Sequence, residues 1–410
     1  MHELAKAIRP LSSISIEEGA ATPQTISEIL AETAWERSPQ NPLAVFTGLV
    51  LERPAYLPAA ETSRINITTP MPGRGLAGLG NKTRYLPIGY ADCAKLFRDE
   101  VMSCESVAFS VTPKGTLGVQ VGYWPDLIAS VQKRNGTLLV EINEDMPDVP
   151  GAPLIDLTGA KIIRSRRALC LDPQRPAGDA ERATAEHVAT IIPDGACLQI
   201  GIGALGDAVI ASLLRAGRRA LSVHSGMLGN AMVDLALSGR TARATPLGDP
   251  PFHAGLLLGD TRLFAWAENN PQVKLGNTDT VHAIAVTSAI TSLTCINFAL
   301  QVDLAGNTNA EAIGTRRFSG AGGQLDFAMG ACAAPKGRSI VAITSQTRKG
   351  ASKIVPSLNG PTTTPGSRVH FVVTEHGAVD LRGKTSEERA RTLISIAAPE
   401  HRSRLLEALE

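Results

Sequence analysis

Short apolar blocks alternate along this chain with stretches whose apolar residues recur at helical spacing. In the first half, residues 42–48 read as a short buried strand, 91–99 as a helix, 106–112 as a strand, 124–133 as a helix and 137–142 as a strand of apolar β-formers. Ahead of them, residues 26–35 have helical spacing with Thr25 as the N-cap, while 65–80, rich in Gly and Pro, read as loop. The alternation then restarts. Helices are predicted over 180–191 and 207–216, and strands over 196–202, 220–224, 281–286, 293–298, 339–344 and 369–374. Residues 386–396 form an amphipathic pattern that Thr385-Ser-Glu-Glu388 opens as a capping box.

Strands alternating with helices at this spacing predict an α/β fold, with mostly parallel sheets flanked by helices. The Pro-rich, polar segment 173–179 is the best linker, and it divides the chain into an N-terminal domain, 1–178, and a C-terminal domain, 179–410. No sequence repeat relates the two halves.

Composition narrows the function classes. With 38 Gly and 4% aromatic residues, the 410-residue chain has the make-up of an α/β enzyme with many tight turns. A formal net charge of +1 without a basic stripe argues against nucleic acid and anionic membranes as partners. The six cysteines have no metal-ligand spacing and read as buried or incidental thiols of a reducing compartment. There is no signal-peptide pattern at the start and no apolar run of transmembrane length, so a cytoplasmic location is expected.

Three segments carry candidate chemistry. In Leu198-Gln-Ile-Gly201-Ile-Gly203-Ala204-Leu-Gly206, a strand runs through a Gly-rich turn into a helix. Backbone N–H groups there can hold a phosphate, a carboxylate or a developing oxyanion, and a plain tight connection is the alternative. The literal Gly-x-Gly-x-x-Gly lacks the acidic residue a dinucleotide site needs at the end of the next strand, which runs instead into His224-Ser225-Gly226. The second segment, Ser319-Gly320-Ala321-Gly322-Gly323-Gln324-Leu325-Asp326-Phe327, has three Gly in four residues, which lets backbone pack against a flat or charged group. In the third, Val373-Thr374-Glu375-His376-Gly377, a carboxylate and an imidazole follow a strand end, where ligands gather in open α/β sheets; a solvated Glu paired with Arg382 is the alternative.

These segments together resemble the acetyl-CoA hydrolase/4-hydroxybutyrate CoA-transferase family. The resemblance rests on Ile192-Pro-Asp-Gly195 with Leu198–Gly203, on Ile296-Asn297 with Asp303-Leu304 and Gly306, on Ser319–Phe327, on Ser352-Lys-Ile-Val-Pro356, and on Val373-Thr-Glu375 with Leu381-Arg-Gly383. It is looser in the first half, through Pro87, Val140–Asn143 and Met146-Pro147. It implies two CoA-transferase domains, a CoA thioester as substrate with no permanently bound cofactor, a carboxylic acid as possible co-substrate, and a homodimer. It places backbone donors at Gly201, Gly203, Ala204, Gly320, Gly322, Gly323 and Gln324. It also places an active-site Glu at Glu375, an Asn near the thioester carbonyl at Asn269 or Asn270, and a phosphate contact at Lys353, where an Arg is usual.

Three departures accompany it. Gly226 stands where the family has its covalent Glu, Asn230 where an Asp is common, and Thr112-Pro-Lys-Gly115 where Ser-Pro-Pro-Asp is common. Transfer through a glutamyl thioester needs the carboxylate. Its loss predicts hydrolysis, decarboxylation or C–C hydrolysis of an acyl-CoA, with Glu375, His224 or His376 as base and Ser225 as a remote alternative nucleophile. The competing readings are a true CoA-transferase using another carboxylate, Glu268 being nearest by motif, and a non-catalytic CoA-binding subunit.

Overall fold

The computed structural model describes residues 1–172 and 175–409, so Pro173 and Gln174 of the predicted linker lie outside the described residues. The chain forms two compact units. One comprises Met1–Asp172 and Gly255–Thr278, the other the described residues of Pro173–Ala254 and Asp279–Glu410. A single cut at 178/179 does not contain the return of 255–278 to the first unit. Hydrogen bonds account for that return: Val121 and Gly122 donate to the Gly255 carbonyl at 3.0 and 3.1 Å, and Leu257 donates to the Val119 carbonyl at 3.0 Å.

The sheet of the first unit has seven strands: β1 (Ser13–Ile16), β2 (Leu43–Phe46), β3 (Ile65–Thr69), β4 (Arg84–Tyr85), β5 (Ser106–Val111), β6 (Thr137–Asn143) and β7 (Lys161–Ser165). Their order is β4-β3-β2-β1-β5-β6-β7, and every pairing is parallel. All six residues of β5 are buried, as in a strand covered on both faces. Leu4, Ile8, Ile14, Ile26, Leu30, Leu43 and Ile67 belong to the core that the helices His2–Ile8 and Gln24–Ala34 build with this sheet.

Two expectations in this unit need correction. Residues 65–69 form strand β3 rather than loop, because β-branched Ile65, Ile67 and Thr69 alternate inward ahead of the Gly-rich turns. Thr25 is not an N-cap: the helix begins at Gln24, and the Glu141 carboxylate accepts from the N–H groups of Thr25 and Ile26 at 2.8 and 3.2 Å. A carboxylate at that end also complements the helix dipole.

The main sheet of the second unit includes β8 (Cys197–Ile200), β9 (Ser222–Leu228), β10 (Phe252–Leu257, which crosses between the units at Ala254), β11 (Leu293–Phe298), β12 (Arg338–Ala342), β13 (Phe371–Thr374) and β14 (Gly377–Asp380). They run in the order β10-β9-β8-β11-β12-β13-β14. Pairings from β9 through β13 are parallel, and β14 closes the edge antiparallel to β13. Strand β9 continues to Leu228, so Gly226 lies inside a strand that the sequence ends at 224. Residues 281–286 are not a strand. Val281 ends a short helix, Thr278–Val281, His282 and Ala283 form the link to a second, Ile284–Thr287, and Val281 packs in a cluster with Leu293, Phe327 and Ala331.

Each sheet reverses its winding direction once, between β1 and β5 in the first unit and between β8 and β11 in the second. Crevices at the carboxyl ends of strands flanking such a reversal are where open α/β sheets bind ligands. No helix among the described residues is long and apolar enough to cross a membrane.

Candidate active site

At the reversal in the second unit, β8 ends in the Gly201–Gly203 turn. The Gly201 N–H is committed to the Ile296 carbonyl at 3.0 Å, which continues the sheet ladder. Gly203 has φ of 112°, a conformation that resists side chains, and it sets the start of the helix Ala204–Arg215. The first helical turn, from Ala204, therefore offers N–H groups without intrahelical acceptors together with the positive end of the helix dipole.

A cleft of about 200 Å³ opens at this point, lined among others by Gly203, Ala204, Leu205, Phe298, Thr344 and Lys353. Three of the predicted binding residues thus meet in one crevice. The Lys353 ammonium donates to the Thr344 hydroxyl at 3.1 Å. Burial pushes its pKa down, while Glu375 and Glu181 pull it up. Glu375, just after β13, accepts from the Ser345 N–H at 2.8 Å and from the Ser345 hydroxyl at 2.6 Å. Its two oxygens are engaged, and its charge acts on Lys353. His376 lies beside it, Nε2 to Oε1 at 3.9 Å.

A second constellation surrounds Gly226. A Cβ added at Gly226 would sit 3.0 Å from both Cε1 and Nε2 of His282 and 3.5 Å from the Phe327 ring. A Cβ added at Gly323 would sit 2.4 Å from His282 Cε1 and 2.7 Å from its Nδ1. Real Cβ atoms do not approach within 3.0 Å. The tip of one imidazole is therefore lodged between two glycines from distant parts of the sequence. The flat group against which the Gly320–Gly323 loop packs at Gly323 is this chain's own His282.

His282 is buried, 3% exposed at its side chain, tilted over Phe327 at 4.8 Å between ring centres, and its Nδ1 lies 3.3 Å from Asp326 Oδ2. Asp326 belongs to the helix Gln324–Ala333, which the Gly320–Gly323 loop introduces. Gly322 in that loop has φ of 56°, Gly320 is buried, and the Gln324 amide donates to the Thr364 hydroxyl at 3.2 Å.

His224 is two residues from Gly226 on β9 and so points to the same face of the strand. Its Nε2–H donates to the Val281 carbonyl at 2.9 Å. Burial, followed by the neighbouring His253, pushes its pKa down to about 4, so it is neutral near pH 7. The His224 and His253 rings stand edge to face at 5.0 Å.

Asn269 and Asn270 lie in the first unit. Asn269 has φ of 50° and donates through its backbone N–H to the Asp148 carbonyl at 2.8 Å. The Asn270 amide donates to the Trp266 carbonyl at 2.8 Å and accepts from the Gln272 N–H at 2.9 Å, closing the end of the helix Thr261–Ala267.

Sequence reasoning passed over two groups. One is His282 with Asp326, which no local pattern joins to Gly226. The other is Glu17-Glu18, directly after β1 at the first unit's reversal. Burial raises the pKa of Glu18 to about 7, against a hydrogen bond from the Leu49 N–H at 2.6 Å, and pushes Glu17 well above the carboxylate range. The signal available for that pair was two acids ending the alternation Ser-Ile-Ser-Ile.

Comparisons with known proteins agree with this architecture. Residues 259–409 match the acetyl-CoA hydrolase/transferase C-terminal domain. The chain is 33% identical over 328 residues to a 4-hydroxybutyrate coenzyme A transferase of Clostridium kluyveri, covering 78% of this chain and 76% of that protein. It is 30% identical over 344 residues to a butyryl-CoA:acetate CoA-transferase of Anaerostipes caccae, covering 80% and 76%. The crystal structure of RipA from Yersinia pestis superposes with a TM-score of 0.89 at 28% identity, covering 99% of this chain and 96% of that one. Two α/β units with mostly parallel sheets, a glycine-capped helix at the sheet reversal and these relationships lead to one conclusion: the chain belongs to the acetyl-CoA hydrolase/CoA-transferase family and is an enzyme of that superfamily.

Proposed function

We propose that this enzyme cleaves an acyl-CoA with water, without a covalent glutamyl carrier. The observation that carries the proposal is the packing at Gly226. The position aligned by resemblance with the family's nucleophile has no side chain, and a Cβ there would be crowded by His282 at 3.0 Å. A carboxylate at 226 is absent, so an anhydride and a glutamyl thioester have no atoms to form on there. Losing a nucleophile costs several orders of magnitude in the reaction that uses it.

The remaining features suit a thioester. The cleft at Gly203, Ala204 and Lys353 joins a helix N-terminus to an ammonium, which favours the anionic groups of CoA or an oxyanion developing on the thioester carbonyl. Glu375 supports this cleft as the counter-charge to Lys353, since its oxygens are hydrogen-bonded to Ser345. His224 is neutral and therefore basic in form, but its Nε2 is spent on Val281. Decarboxylation and hydrolytic C–C cleavage draw on the same oxyanion stabilisation and become the outcome if the acyl group carries a β-carboxylate or β-ketone.

The test is incubation with a panel of acyl-CoAs, with and without acetate, followed by mass spectrometry of products and intact protein. Free CoA or a shortened acyl-CoA formed without acetate, and no adduct on the protein, is expected. Acetate-dependent acetyl-CoA together with a CoA adduct on a carboxylate would overturn the proposal in favour of transfer through another residue. Binding without turnover across the panel would overturn it in favour of a non-catalytic CoA-binding subunit.

A further inference from the structure

We propose that His282, oriented by Asp326, is the base that activates water in this site, taking the place of the missing carboxylate; the assignment rests on the hydrolytic reading above. Three observations converge on it. The first is position. The added Cβ at 226 marks the root of the carboxylate arm that the resemblance assigns there, and the Nε2–Cε1 edge of His282 lies 3.0 Å from it. An imidazole nitrogen thus lies beside the point from which the family's reacting side chain would extend.

The second is construction. Gly226 and Gly323 lie on different elements, yet both lack a Cβ next to the same imidazole tip, where one at 323 would collide and one at 226 would be crowded. A side chain at 323 would displace the ring, and one at 226 would press on it at 3.0 Å, so that the ring would have to give by a few tenths of an ångström. A histidine that merely filled space would need neither vacancy, since a smaller residue at 282 would leave room for both.

The third is orientation. Asp326 Oδ2 lies 3.3 Å from Nδ1. In the tautomer that donates from Nδ1 to this carboxylate, the lone pair is on Nε2, on the Gly226 side. This is the base-and-orienter arrangement that nucleophilic and hydrolytic sites share. Asp326 is here a positioning residue. At 3% exposure the imidazole is shielded from bulk water.

Nε2 takes a proton from water as the water oxygen bonds to the thioester carbonyl carbon. The tetrahedral oxyanion collapses, the C–S bond breaks, and the proton on Nε2 passes to the departing thiolate. The products are the free acid and CoA thiol.

The test begins with wild-type enzyme and the acyl-CoA that it turns over. His282→Gln fills the space with a non-basic side chain. It is expected to melt as wild type does and to lose about a hundredfold or more in kcat with little change in KM. If it melts as wild type does and keeps kcat within about threefold, the assignment falls while the hydrolytic reading stands. Acetate-dependent transfer by wild type would instead sink the reading itself. His282→Ala guards against a folding defect. Free imidazole should restore its turnover, whereas pyrazole, of the same shape but far weaker basicity, should not. Equal restoration by both, or by neither in a folded variant, overturns the proposal. Asp326→Asn should lower kcat and leave KM for the acyl-CoA in place; a change in KM alone would remove Asp326 from the positioning role.

Discussion

Lys353 shows how one residue joins the local chemistry to binding. Its ammonium lines the cleft at the sheet reversal, donates to Thr344 and is desolvated enough for burial to lower its pKa, with Glu375 and Glu181 holding the charge in place. A charge-assisted hydrogen bond to a phosphate or oxyanion contributes about 1.5–3 kcal/mol. Lys353→Ala is accordingly expected to raise KM for acyl-CoA by about tenfold to a hundredfold, measured by steady-state kinetics. Lys353→Arg keeps the charge and should recover most of the loss, because a phosphate accepts either cation. An alanine variant with unaltered KM would place the CoA anionic groups elsewhere.

At the scale of elements, the sequence was legible where a single local rule governed. The helix Trp124–Lys133 and strand Leu293–Phe298 lie at the residues their patterns predict, and the capping box at Thr385 forms, with Glu388 accepting from the Thr385 N–H at 2.7 Å. Reading failed where tertiary context outweighed the local signal. The apolar stretch 281–286 has strand-like composition, yet Val281 packs with Leu293, Phe327 and Ala331 and the stretch runs from one helical turn into the next. The link between those turns carries His282, so the misread element hid the residue that meets Gly226. No spacing rule could recover the pair, because the contact exists only once β9 and the Gly320–Gly323 loop are packed on the same ring. The Gly201–Gly203 turn was legible because Gly marks backbone demand directly. At φ of 112°, Gly203→Ala is strained at the helix start. The expected cost is about 1–3 kcal/mol in stability, with weaker acyl-CoA binding as the donors of the first turn shift. Thermal melting and KM measured together check both parts; an unchanged pair of values would remove Gly203 from the binding turn.

For the molecule as a whole, each unit buries a titratable group whose linkage to stability has the opposite sign. In the first unit, folded Glu18 keeps its proton to about pH 7, whereas the unfolded side chain releases it near 4.5. Between those values the folded chain binds more protons, so stability falls as pH rises and the loss is complete above about 7. Glu17, also raised by burial, adds in the same direction. In the second unit, folded His224 gains its proton only near pH 4, whereas the unfolded imidazole gains it near 6.5. There the unfolded chain binds more protons, so stability rises with pH across that window and is lost on acidification. Each effect is on the order of 3 kcal/mol at full extent. Removing one should therefore tilt the balance toward the other. Glu18→Gln is expected to make the slope of melting temperature against pH more positive between about pH 4.5 and 7, and His224→Gln more negative between about pH 4 and 6.5. Calorimetric scans across that range measure both slopes. Should the two units melt in separate transitions, each substitution is expected to act on the transition of its own unit. Parallel slopes in wild type and both variants would mean that neither buried group changes its protonation on unfolding.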